Sequence, residues 1–74
     1  MEKRDEELIH TLLEREPDLR HYYEEHVVLE RQLDVFKQKL YLTPGEEMER
    51  RRLQKRKLAG KDRMMDILSR HRAD

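Results

Sequence analysis

The side chains in this sequence with the means to do chemistry are four histidines and a large stock of carboxylates. Glu7 and His10 stand three apart. That is the Glu-x-x-His spacing with which carboxylate di-iron bundles hold metal. Such ligands must point into a bundle, and beside an apolar stripe of Leu8 and Leu12 this pair lies on the outer side. His21 and His26 are five apart, whereas a metal-binding pair on one helix needs a spacing of four. Cysteine is absent, which removes thiolate sites and disulfides. Nucleophiles are scarce: Ser69 is the only serine, and Thr11 and Thr43 are the only threonines. With Gly45 and Gly60 the only glycines, there is no glycine-rich phosphate loop. The carboxylates lack a pocket that would move their pKa values. The expectation is a protein that is not an enzyme and has no metal or cofactor.

Two features point to binding instead. Arg50, Arg51, Arg52, Lys55, Arg56 and Lys57 form a run of eight positions with six cations and no acid. Clustered cations of this kind release counterions from nucleic acid, which makes Arg50, Arg51, Arg52, Lys55 and Arg56 the candidate polyanion contact. The competing reading is a solvated helix face balanced by acids opposite. Facing residues 30–37 offer only Glu30 and Asp34, so part of the charge is expected to stay unmatched. No aromatic residue interrupts the run for base stacking, and no recognition motif is present. Nucleic acid is therefore the less favoured partner. The second feature is His26, which falls on a core heptad position and carries an imidazole, the side-chain type suited to a pH sensor or a ligand. A polar residue in such a seam is a known register device, and His26, Lys61 and Asp62, with Glu30 nearby, are read as a polar register layer.

These residues have to be positioned by helices. Leu19, Tyr22, His26, Leu29, Leu33, Phe36 and Leu40 follow at alternating steps of three and four, an a/d heptad seam. Leu8 and Leu12 continue it upstream, with Ile9 and Leu13 widening the stripe. Pro17 disfavours helix at Glu16 but suits the first position of a new helix. Thr43-Pro44-Gly45-Glu46 reads as a capping box with proline behind the cap. The pattern predicts helices over about 5–15, 17–41 and 44–72, with a turn at 42–43. The fold class is all-α: an antiparallel, coiled-coil-like helical hairpin with a short leading helix, one unit over 1–74.

Folding at Thr43 sets Leu29 against Leu58, Tyr22 against Met65 and Leu19 against Leu68, with His26 beside Lys61 and Asp62. The leading helix overhangs a straight hairpin. It either folds back at Pro17 or is covered by another chain, so Leu8, Ile9, Leu12 and Leu13 are the candidate self-association residues. Assembly into a helical bundle is expected, since two helices enclose little interior. Gly60, inside the last helix, costs about 1 kcal/mol against alanine and marks either a close approach or a tolerated weak point.

Composition fits this picture. Of 74 residues, 46% are charged and 35% hydrophobic, little for a compact monomer of this size. The net charge of zero is a cancellation: residues 1–43 carry −4 and residues 44–74 carry +4. The halves attract, which helps orientation more than stability. No apolar run exceeds three residues, far short of the roughly 20 that span a bilayer, and no apolar signal core follows Met1. A soluble, cytoplasmic protein with no membrane partner is expected, a homo-oligomer with an unidentified protein partner.

Taken in order, Pro17 and Leu19, His26, Leu29 and Leu33, then Leu53, Lys55, Leu58, Lys61-Asp62, Met64, Ile67 and Leu68 resemble the pattern of the YdcH-like family. These are small bacterial helical proteins, classed as a domain of unknown function. The resemblance runs from about Leu8 to Leu68. Gly60 departs from it where an apolar residue is expected, and Glu16 where a better cap usually precedes the proline. The resemblance implies a bacterial, cytosolic helical hairpin and no established activity. It also draws attention to His26, Lys61 and Asp62, because the family's marked positions meet there.

Overall fold

A computed structural model describes residues 2–72 and contains three helices: α1 (Lys3–Leu12), α2 (Pro17–Lys37) and α3 (Pro44–Arg72). No strand occurs among the described residues. α2 and α3 form the hairpin, and α1 doubles back onto its open end. The molecule measures 47 × 18 × 17 Å. Its length is that of α3, whose 29 residues rise about 43 Å.

Each boundary has a local cause. α3 starts where the capping box places it. The Thr43 amide donates to Glu46 Oε1 at 3.0 Å, and the Glu46 amide donates to Thr43 Oγ1 at 3.1 Å. Pro44 follows at the first helical position, where its missing N–H is no loss. Lys39 reaches across the connection to Glu46, which draws the end of α2 to the start of α3. α2 consequently stops at Lys37 and not near Tyr41. Residues 38–43 make the reversal. α1 ends at Leu12, before Arg15. The amides of Arg15 and Glu16 both donate to the Leu12 carbonyl, at 3.0 and 2.9 Å, and Glu16 turns extended ahead of Pro17.

The interior is divided. At the open end Ile9, Leu12, Leu19, Met64, Ile67 and Leu68 form one buried cluster, with Leu8, Leu13, Tyr22, Tyr23 and Met65 packed around it. At the turn end Leu29, Leu33 and Leu53 form a second, with Phe36 at its edge. Of the two alternatives for the leading helix, the chain takes the fold-back: Ile9 and Leu12, candidate self-association residues, are buried in its own core, and Leu8 and Leu13 pack against them. The fold-back takes up the overhang: α1 lies against the ends of α2 and α3, where Asp5 pairs with Arg72 and His71 Nε2 lies 2.8 Å from Glu16 Oε1.

Leu19 and Leu68 share the open-end cluster, with Tyr22 and Met65 packed against it, but the facing at Leu29 differs from expectation. Leu29 packs with Leu53, and Leu58 is 60% exposed. The side of α3 turned toward α2 is Glu46, Arg50, Leu53, Lys57, Gly60, Met64, Ile67 and His71, all buried or half-buried and stepped by four and three. α3 therefore has a heptad seam of its own, with polar residues or glycine at most of its positions. Leu58 lies to one side of it. Leu40, the expected end of the α2 seam, lies beyond α2 and is fully exposed.

Candidate functional site

Between the two clusters the seam is polar. His26, nearly buried, has its Nε2 3.0 Å from Glu30 Oε1. The same oxygen lies 3.5 Å from Lys57 Nζ. His26 Nδ1 is buried without a hydrogen-bond partner among the described residues. An unmet buried polar atom carries a desolvation cost of about 1–3 kcal/mol. The polar side chains that meet between the clusters are thus His26, Glu30 and Lys57, not His26, Lys61 and Asp62. Asp62 is exposed, and neither it nor the half-buried Lys61 makes an ion pair among the described residues. The cause is the phase of α3: once Lys57 and Gly60 occupy the seam, Asp62 turns to the far side.

Gly60 faces the same interval. A Cβ built there would meet nothing within 4 Å, so no helix approaches it closely. With Tyr22, Glu25, Arg56, Ala59 and Arg63 it lines a surface groove of about 200 Å³. Two further grooves, one beside Glu30 and Lys57 and one beside Asp18 and Arg70, hold about 180 Å³ each. Small-molecule sites are commonly larger, roughly 300–1,000 Å³.

The basic segment is largely paired, chiefly by acids one turn upstream on its own helix. Arg50 Nε donates to Glu47 at 3.1 Å and Arg51 Nε to the same carboxylate at 3.3 Å. Arg52 pairs with Glu49 at 2.6 Å. Across the hairpin, Arg56 reaches Glu25 at 3.3 Å and Lys57 reaches Glu30. Among the described residues, Lys55 is the one cation of the run without an acid partner. The hydrogen bond from Arg50 holds the Glu47 carboxyl below its ordinary value, and that from Arg52 does the same for Glu49. These pairs leave much less free positive charge than the acids of 30–37 alone would.

The remaining polar candidates have local roles. Thr11 Oγ1 donates to the Glu7 carbonyl at 2.9 Å, and Ser69 Oγ to the Asp66 carbonyl at 3.0 Å. Glu7 and His10 are both exposed, and the His10 ring meets the Tyr23 ring edge-on at 5.4 Å. No group of three His, Asp or Glu side chains among the described residues is arranged to hold a metal ion. No helix there is long and apolar enough to cross a membrane.

Hydrophobic spacing does not single out the turn end as a surface. Leu40 is 100% exposed, Tyr41 83% and Met48 72%, with Val35 also exposed and Phe36 and Leu42 half-buried. Four of the six large hydrophobic residues exposed among the described residues, Val35, Leu40, Tyr41 and Met48, fall on the segments that flank the turn, at the end with the smaller core. The apolar triplet Leu40-Tyr41-Leu42 is its one signal in the sequence, masked because the heptad spacing continues in phase through Leu40. Comparison with protein-family models, curated proteins and solved structures finds no match to this chain.

Proposed function

We propose that this chain is a non-catalytic helical interaction module that associates with itself through the turn end of its hairpin. The observation that carries the proposal is the exposure of Leu40 and Tyr41 beside a core of only three buried residues. Two turn ends set together as four helices would give Leu29, Leu33 and Leu53 the enclosure that two helices cannot supply. The same surface is where a different protein partner would dock. A bacterial, cytoplasmic setting, and kinship with the YdcH-like family, belong to this proposal. The grooves, small and open to solvent, favour a binding role over catalysis. Polyanion binding by Arg50–Lys57 has less behind it, since Glu47, Glu49, Glu25 and Glu30 already pair most of that charge.

Sedimentation velocity from roughly 1 µM to 1 mM, the range of weak association, tests the reading. The native chain should shift to a larger species as concentration rises. Leu40→Glu with Tyr41→Glu should abolish the shift while leaving helicity intact. A native chain that stays monomeric throughout, or a double variant that associates equally well, would overturn it.

A further inference from the structure

We propose that α1 is an exchangeable arm: the groove it fills at the open end also accepts α1 of a second copy, giving a reciprocally swapped dimer. This goes beyond association at the turn end and concerns the opposite end of the molecule. The occupant of the groove is defined by what fills it now. Ile9 and Leu12 bury themselves among Leu19, Met64, Ile67 and Leu68, and Asp5 pairs with Arg72 at the α3 C-terminus. A second copy presents the same side chains at the same spacing, so exchange preserves both the apolar fit and the charge complementarity.

Three features make α1 separable. It has ten residues and no side-chain cap at Glu2. Isolated helices shorter than about 12–15 residues are marginal in water, so docking supplies most of its order. Residues 13–16 join it to α2, with Glu16 extended at φ −119° and ψ 91°. Pro17 disfavours the helical conformation at Glu16. α1 and α2 therefore stay separate rods on a swivel, and rotation at 13–16 redirects α1 while both helices remain intact. Reciprocal exchange closes on a two-fold axis, so it ends at a dimer. A short tether gives the chain's own arm an effective concentration on the order of millimolar, so exchange should become appreciable as the protein approaches that concentration.

The chain has no cysteine, which permits a direct test. All chains carry Leu40→Glu and Tyr41→Glu, so that failure of the turn-end reading and failure of this one are separable. One population carries Asp5→Cys, another Arg72→Cys, and they are mixed and oxidised from roughly 10 µM to 1 mM. The expected result is a disulfide-linked heterodimer that rises with concentration. A mixture of Asp5→Cys with Lys55→Cys should give none. If the Asp5→Cys and Arg72→Cys chains fail to cross-link to each other, while a chain carrying both substitutions closes within itself at every concentration, the proposal is overturned. Because these substitutions remove an ion pair, a second variant keeps the native pair and deletes Glu14 and Arg15 from the connection. Its arm cannot return to its own groove, so it should be a helical dimer by sedimentation. A folded monomer overturns the proposal equally.

Discussion

Glu46 ties the turn together from both sides. It returns the capping bond to Thr43 and accepts from Lys39. The hydrogen bond from Lys39, followed by that from the Thr43 amide, holds its carboxyl down at about 2 against an ordinary 4.5. A depressed carboxylate adds stability in full above its unfolded value and loses it as pH falls through the folded value. The contribution of Glu46 should therefore be complete above about pH 4.5 and fade toward pH 2. Stability measured across that window should fall less steeply in Glu46→Gln than in the native chain. Equal slopes would remove Glu46 from the acid response. At Gly60 the expectation has the opposite sign. An added methyl group meets open space, so Gly60→Ala should gain about 1 kcal/mol of helix propensity. In a domain of this size that raises Tm by about 4–8 °C. A lower Tm would show that the glycine answers to a contact outside the single chain.

Among the elements, α2 is legible in the sequence and the inner face of α3 is not. Every α2 seam position from Leu19 to Phe36 is apolar apart from His26, so spacing alone marks the inner face. On α3 the inner positions include Glu46, Arg50, Lys57, Gly60 and His71. Hydrophobicity there points to Leu58, which is largely exposed. The long stems of Arg50 and Lys57 cover the seam while their charged ends reach Glu47 and Glu30, an arrangement that residue type does not announce. The basic run misleads for a related reason. Its balancing acids lie mainly one helical turn upstream, outside any count taken across the hairpin. Substitution separates the two registers. Leu53→Ala should cost about 2–5 kcal/mol, as for a buried leucine. Leu58→Ala should stay within about 0.5 kcal/mol of the native chain, as for a surface position. Denaturant titration of both variants is sufficient, and a larger loss at Leu58 would restore the expected facing.

At the scale of the molecule, the ion pairs that join the two halves fall at three places. Glu25–Arg56 and Glu30–Lys57 join α2 to α3 in mid-hairpin. Asp5–Arg72 and Glu16–His71 close the open end, and Lys39–Glu46 the turn. The hairpin and its helix starts can be read from the chain, because caps, prolines and heptads are local signals. The destination of α1 cannot, since fold-back and coverage by another chain bury the same leucines.

The polar interval at His26, Glu30 and Lys57 separates two buried apolar clusters. The clusters on either side of it share no side chain, and only α2 and α3 supply buried residues to both. Such an interval insulates one end from the other. Departure of α1 would loosen Leu19, Met64 and Leu68 without withdrawing a contact from Leu29, Leu33 or Leu53. On that arrangement the expected outcome is opening in two local cooperative units in place of one, with slower amide hydrogen exchange at the turn end than at the open end when α1 is removed.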